Sequence, residues 1–378
     1  MVIKNCKIIY EDRIEEGSVL IKNGKLCSFH QAEENDDTII DAQGRYLAPG
    51  FIDIHIHGAG GCDTMDATFE ALNTISKTIA TNGTTSFLPT TMTCDAEDIQ
   101  KAVKTIDEAM KRGTEGATIL GTHLEGPFIS PDMIGAQNPK YIQAPSKENF
   151  QHMVDGKLCA VTSVTLAPER EGALDLIDHL VENQIKVSAG HSAATYDEMM
   201  VAINHGLSHT THLFNAMKGL HHREPGIVGA AFDSDITSEV ISDGIHISYP
   251  TLRVAINQKG TDKMILVTDA MRACCMPDGN YNLGGQEVYV ANGRAQLENG
   301  ALAGSVLTLN NAVKNIYNNS KLPLHEVVKM ATLNPAKYCG VDDHKGLIRE
   351  GYDADLILFD DEITITHTIV GGKLVYTK

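Results

Sequence analysis

A (β/α)8 barrel of the TIM type, with a small β-sandwich domain built from both chain ends, is the α/β fold that the 378-residue sequence predicts. Three observations lead to it. Eight strand-like runs alternate with helical spacing between residues 51 and 271, as expected of a parallel sheet covered by helices. Short strands with turn signals fill the first fifty and last thirty-odd residues, and neither set has enough strands to bury a face alone. The length suits one large unit with a small companion, at roughly 100–200 residues per domain and about 250 for a barrel. No Gly-x-Gly-x-x-Gly opens a helix after the first strand, which disfavours a doubly wound open sheet.

At the N-terminal end the strands read as 2–9 (VIKNCKII), 18–29 (SVLIKNGKLCSF, with Asn23-Gly24 as a hairpin turn) and 38–50 (TIIDAQGRYLAPG). The C-terminal end offers 346–360 and 364–377, the latter turning at Gly371-Gly372. The expected domains are therefore 1–50 plus 342–378, and a barrel over 51–341. Barrel strands are expected at 51–58, 84–92, 117–126, 161–169, 185–192, 207–217, 239–246 and 263–271. Between them Phe69, Leu72, Ile75 and Ile79 precede Gly83. Ile99, Val103, Ile106 and Met110 run from an Asp95 N-cap to Gly113, and Leu174, Ile177 and Val181 repeat the pattern. Residues 281–304 read as a β-rich excursion, and 305–319 and 322–338 as closing helices.

Hydrophobic residues at 42% and charged residues at 21% exclude wholesale disorder. Lys+Arg 31 against Asp+Glu 49 gives a net charge of −18, which repels a nucleic-acid backbone. With no basic run, neither nucleic acid nor membrane is an expected partner. An anionic ligand must then be captured by a few local cations. No stretch has the pattern of a secretory signal or the ~18 apolar residues of a membrane span. Eight cysteines without CxxC read as reduced thiols in the cytoplasm, with neither a disulfide framework nor a cysteine zinc site.

The chemistry collects at strand ends. His55 and His57 lie one strand period apart, about 6.6 Å at ~3.3 Å per residue, so both rings share a face. A pair of buried, carbonyl-satisfied histidines would look the same. Glu125 ends the third strand, where a carboxylate aimed inward needs a metal or a counter-charge; a solvated turn residue is the alternative. His191, His212 and Asp269 end or occupy the fifth, sixth and eighth strands. Together they deliver imidazole and carboxylate donors to one rim, where barrel enzymes place their active sites. Nitrogen and oxygen donors without thiolate suit zinc, iron or manganese. Six donors exceed the need of one ion, so one or two divalent ions per chain are expected, two if a carboxylate bridges. Asp53 either orients the His55 ring or is a polar core or capping residue. His123 reads as an interior hydrogen-bond partner rather than a ligand.

These residues carry a resemblance. Asp-x-His-x-His after APGFID, followed by Glu, His, His and Asp at strand ends, resembles the amidohydrolase superfamily. More narrowly, HLEGPFI (123–129), GAQNP (135–139), SAGHS (188–192), THLFNAM (211–217), REPG (223–226), SDGIH (242–246), VTDAM (267–271) and ALAGS (301–305) resemble N-acetylglucosamine-6-phosphate deacetylases, in order from about residue 40 onward. The resemblance implies that Glu125, His191 and His212 hold a catalytic metal and that Asp269 is general base and then acid. His55 and His57 would retain a second ion that some members lack, with Glu125 as the bridge. It also implies substrate contacts from Ala136, Asn215, Ala216, Arg223, His246 and Leu302-Ala303-Gly304, and a homodimer in which one subunit's loop approaches its neighbour's phosphate site. Gln137 stands where some members have histidine, so either the second metal or the Gln137 amide would polarise the acetyl carbonyl.

The implied reaction is hydrolysis of N-acetyl-D-glucosamine 6-phosphate to D-glucosamine 6-phosphate and acetate, with metal-activated water as nucleophile. Arg223 would grip the phosphate unless it merely pairs with Glu224, and His246 would add a donor. The galactosamine epimer is the nearest rival substrate, since one hydroxyl's orientation is not legible in motif spacing. Another amidohydrolase acting on a small cyclic amide is more distant, because many use a lysine bridge that VTSVTLAPE lacks. A non-catalytic sugar-phosphate sensor would have no need of the full donor set.

Overall fold

The computed structural model describes residues 1–29 and 38–378; His30 lies outside them. The chain ends meet in one sheet. Val2–Ile9 pairs antiparallel with Ile14–Lys22, which turns at Asn23-Gly24 into Lys25–Phe29. Tyr46–Pro49 lies parallel to the first strand and antiparallel to Leu356–Phe359, which continues through Ile365–Val370 to Lys373–Thr377. That junction joins the two ends of the sequence. Its face buries Ile3, Ile8, Val19, Leu47, Leu356, Leu358 and Ile369 as one apolar cluster, which neither end could form alone.

The central segment is α/β with a curled parallel sheet. Phe51–Ile56, Thr84–Pro89 and Thr118–Ile119 form one run; Thr122–Glu125, Val161–Leu166, Lys186–Ala189, His209–Thr210, Thr237–Ile241 and Met264–Val267 form another, each run in chain order. Parallel bridges link the two runs: Thr90, just past the middle strand of the shorter run, to His123, and Ile56, on its outer strand, to Ala270. Phe51–Ile56 and Thr84–Pro89 are buried at every position, as strands covered on both faces should be. Helices such as Phe69–Ala80 and Ala96–Arg112 lie outside, the second capped by Asp95 and burying Ile99, Val103 and Ile106.

Three elements differ from expectation. The third strand, expected over 117–126, is interrupted at Leu120-Gly121, where Gly121 takes φ of +143°, into Thr118–Ile119 and Thr122–Glu125. Two others differ for equally identifiable reasons. The sixth strand, expected over 207–217, is only His209–Thr210, because His212, Phe214 and Ala216 take φ of +31°, +79° and +48° and turn the chain over the rim. The expected closing helix at 322–338 is two, Leu324–Lys329 and Leu333–Cys339. Pro335 has no N–H, and its ring would collide with the Ala331 carbonyl in a continuous helix, so it fits only in the first turn of a new one. The excursion is an antiparallel three-stranded sheet, Gly279–Leu283, Gln286–Ala291 and Arg294–Gln296. It buries Leu283, Val288 and Val290 against Met92, Met271 and Ala303. Among the described residues no helix is long and apolar enough to cross a membrane.

A buried ion pair ties the two-ended sheet to the first parallel strand. Lys345 Nζ lies 2.5 Å from Asp355 Oδ2 and 3.0 Å from Asp353 Oδ2, and Gly50 N–H donates to the Asp355 carbonyl at 2.9 Å, immediately before Phe51. Lys345→Met would leave the buried Asp355 carboxylate without its cation, while Asp353 keeps Lys25 at 2.6 Å, so we expect a loss of about 3–5 kcal/mol. Urea denaturation reads this directly, and an unchanged midpoint would contradict it.

Candidate functional site

The site begins with the polar interior of the parallel sheet. On Phe51–Ile56 the two-residue period sends Asp53 and His55 to one side, with His57 following just past the strand. Asp53 does not touch the His55 ring. It accepts from Thr268 Oγ1 at 2.6 Å and from the backbone N–H groups of His55 and Thr268 at 3.3 Å, and burial pushes its carboxyl up to about 7. It is thus a polar core residue that ties the first strand to the eighth. His123 meets Thr165 Oγ1 at 2.7 Å and Thr90 Oγ1 at 3.4 Å. Burial and the neighbouring His55 push it down to about 3, which leaves a neutral interior partner.

Above this layer the donors converge on Glu125, itself 2% exposed. Its Oε1 lies 3.0 Å from His212 Nε2, 3.1 Å from His191 Nε2 and 3.5 Å from His55 Nε2; its Oε2 lies 3.3 Å from His57 Nε2. Asp269 Oδ1 lies 3.2 Å from His57 Nε2 and 3.5 Å from His55 Nε2. His191, His212 and Asp269 hold φ of +47°, +31° and +49°, a region costly for residues with a Cβ and concentrated at functional sites. The strain is what bends each side chain from its strand end into the mouth.

Whether these residues suit a metal follows from their geometry. His57 Nδ1 faces the Thr90 carbonyl at 3.3 Å and His191 Nδ1 the Met133 carbonyl at 3.0 Å. A carbonyl only accepts, so each Nδ1 carries the proton and each Nε2 presents a lone pair to the rim. His55 Nε2 is buried without a hydrogen-bond partner, and His191 Nε2 and His212 Nε2 face each other at 3.1 Å. Two groups, His55–His57–Glu125 and Glu125–His191–His212, have ligand atoms within 4.8 Å of one another and share the one carboxylate. Burial opposes charge on His55, but Glu239, Asp269 and Glu125 overcome it and push the ring up to about 9. Burial likewise opposes the Glu125 anion, yet His55, His191 and His212 hold its carboxyl well below the usual range. A field that favours protons on these rings favours a divalent cation in the same place. The donor set fits a metal.

The rim opens into a cavity of about 230 Å³ lined in part by His57, Glu125, His191, His212 and Asp269. Ala136, Gln137, Asn215, Ala216, His246, Leu302 and Gly304 also line it, while Ala303 between the last two is fully buried against the excursion. His246 Nδ1 is paired with Asp243 Oδ2 at 2.7 Å. Arg223 is exposed and does not line the cavity; its Nη1 lies 2.6 Å from His222 Nε2, and no ion pair with Glu224 forms among the described residues. Gln137 is engaged on the shared carboxylate. Its Nε2 donates to Glu125 Oε2 at 2.7 Å and its Oε1 accepts from Thr93 N–H at 2.8 Å, so it fixes the orientation of the shared carboxylate.

Sequence reasoning missed Met92, Gly135, Leu283 and Ala301 in the lining. Small or apolar wall residues carry no chemical signature, and Leu283 arrives only through the packing of the excursion. It also missed Glu239, whose carboxylate lies 2.9 Å from His55 Nδ1. The one available signal was a glutamate in the otherwise apolar run EVI.

Comparison with known proteins bears on this site. A family model described as "Amidohydrolase family" matches residues 46–375. The N-acetylglucosamine-6-phosphate deacetylase of Lysinibacillus sphaericus is 39% identical over 99% of this chain and 97% of its own. The N-acetylgalactosamine-6-phosphate deacetylase of Escherichia coli O157:H7 is 36% identical over 89% of each chain. A crystal structure of N-acetylglucosamine-6-phosphate deacetylase from Pasteurella multocida superposes with a TM-score of 0.94 at 34% identity, covering 100% of this chain and 99% of the other.

Because Glu125 belongs to both donor groups, Glu125→Ala should weaken metal retention at both. After dialysis against a chelator, elemental analysis should find far less zinc per chain than in the parent protein; equal content would show that the carboxylate is not a shared ligand.

Proposed function

The chain belongs to the amidohydrolase family, and on that premise we propose that it hydrolyses the N-acetyl group of N-acetyl-D-glucosamine 6-phosphate, releasing D-glucosamine 6-phosphate and acetate. The reaction belongs to amino-sugar catabolism and cell-wall sugar recycling. The observation that carries the proposal is Glu125 within 3.5 Å of four imidazole Nε2 atoms, beside a cavity that Asp269 also lines.

Glu125, His191 and His212 would hold the catalytic ion, and His55 and His57 a second one bridged by Glu125, with zinc the best match and iron or manganese acceptable to the same donors. When bound, the ion supplies Lewis acidity, lowering the pKa of water towards about 7 and offsetting charge that develops on the acetyl oxygen. Asp269 faces the cavity with burial opposing its charge, but His55 and His57 keep its carboxyl below the usual range, so it is an anion able to take a proton from the attacking water. Collapse of the tetrahedral adduct requires a proton on the leaving nitrogen, because an amide anion is not expelled, and Asp269 now holds that proton. Gln137 keeps Glu125 from rotating during these steps. Asp243 fixes His246 through Nδ1, leaving Nε2 for the substrate, while Asn215, Ala216, Ala136 and the Leu302–Gly304 loop enclose the sugar.

The phosphate calls for cations in a chain of net charge −18. Arg223 is proposed as its bidentate partner, and its place outside the cavity lining supports a homodimer in which it serves a neighbouring protomer's site. We further propose that the Ile56–Ala270 bridge, joining the first strand to the last, closes the parallel sheet into a (β/α)8 barrel over 51–341, with 1–50 and 342–378 forming a separate β-sandwich domain, and that the enzyme works in the cytoplasm. The relative from Escherichia coli O157:H7 makes the galactosamine epimer the second substrate to compare.

The test follows acetate release from N-acetylglucosamine 6-phosphate, its galactosamine epimer and unphosphorylated N-acetylglucosamine, on protein of known metal content. The phosphorylated glucosamine derivative should turn over fastest; equal rates with and without phosphate would remove the anion-site argument. Asp269→Asn should lower kcat by roughly 10²–10⁴-fold with substrate still bound. Arg223→Ala should raise KM about tenfold to a hundredfold, the loss of a charge-assisted contact of about 1.5–3 kcal/mol, with kcat little changed.

A further inference from the structure

Glu239 is a buried charge beside the donors to which the proposed reaction gives no part. It sits in the middle of Thr237–Ile241, 1% exposed, beneath the donors rather than among them. Its Oε2 lies 2.9 Å from His55 Nδ1 and accepts from the His212 backbone N–H at 3.1 Å, and its Oε1 lies 3.2 Å from His209 Nε2. His209 is braced in turn: Nδ1 lies 2.6 Å from Thr237 Oγ1, and its ring packs on Tyr338 with centroids 4.3 Å apart. The carboxylate is thus held from below by a fixed ring and aimed upward.

An ionised carboxylate only accepts hydrogen bonds. Against it, His55 Nδ1 carries a proton, so in the neutral ring the Nε2 lone pair points at Glu125 and Asp269; that Nε2 is buried without a hydrogen-bond partner. The other rim imidazoles are backed differently, His57 and His191 by carbonyls and His212 Nδ1 by nothing. Among the described residues only His55 has a carboxylate behind it, and a carboxylate raises the basicity of a ligating imidazole and locks its orientation. We propose that Glu239 is the positioning residue that secures the ion on His55 and His57, and that through the His212 backbone it keeps the two donor groups in register. The inference rests on the reading of the rim as a metal centre.

The test counts ions. Wild-type protein, Glu239→Gln, Glu239→Ala, His55→Ala and the Glu239→Ala, His55→Ala double variant are purified as full chains, stripped, titrated with zinc alone by calorimetry, then challenged with a graded chelator and analysed for metal. Gln can keep these contacts, accepting from His55 and His212 and donating to His209 Nε2 once His209 moves its proton to Nδ1 against Thr237 Oγ1, so it removes the charge while keeping the geometry. It should weaken one zinc by about 10–100-fold and leave the other unmoved. Glu239→Ala should lose that zinc, and adding His55→Ala should cost no further ion. A merely structural residue would lower thermal stability without this selective loss. Equal zinc affinities in wild type and Glu239→Gln, or in wild type and a folded Glu239→Ala, would overturn the proposal. Wild-type protein that binds no zinc would overturn the metal reading itself.

Discussion

A carboxylate with 2% exposure cannot stay charged in a protein interior unless cations or strong donors surround it, and in this chain that condition governs the architecture around Glu125. Four imidazoles and the Gln137 amide meet its two oxygens. They come from the first, fifth and sixth parallel strands and from the loop after the third, so the contacts exist only while the sheet keeps its curl. The strained φ values at His191, His212 and Asp269 follow from the same demand, since an unstrained strand end would carry each side chain past the mouth.

Beneath that cluster the interior stays polar for another layer, held in two hydrogen-bonded groups. Thr211 Oγ1 lies 2.7 Å from Thr165 Oγ1 and 2.6 Å from Ser188 Oγ, Thr165 meets His123, and Glu239 meets both His55 and His209. Buried polar groups connected this way rigidify a core, whereas partly satisfied ones weaken it. Asp53 and Thr268 stitch the first strand to the eighth by the same means. The apolar core lies outside this column, between strands and helices, so rigidity at the rim and stability of the fold come from different layers.

The walls of the cavity are supplied from further away. The excursion has its own small apolar core with Met92, Met271 and Ala303, and Gln286 Nε2 donates to the Ala136 carbonyl at 2.6 Å. That bond couples the outer sheet to the loop that carries Gln137, and Gln137 couples the loop to Glu125. The site is therefore continuous from the Glu125 carboxylate to the surface.

Periodicity and punctuation made the strand–helix alternation legible, because burial on one or both faces imposes a spacing on apolar residues that survives in the sequence. The donors were legible too: histidine, glutamate and aspartate at strand ends are chemically conspicuous, and curling a parallel sheet brings such ends together. Contacts between residues distant along the chain left no such mark. That Gln137 spends its amide on Glu125, that Arg223 stands outside the cavity, that Pro335 splits a helix after Thr332 and that Glu239 backs His55 from 184 positions away depend on which groups folding brings within hydrogen-bond range. Local spacing is written by the solvent's exclusion of apolar side chains, and so it is set by sequence alone. The pairing of individual polar atoms needs angles and distances that only the completed tertiary structure provides.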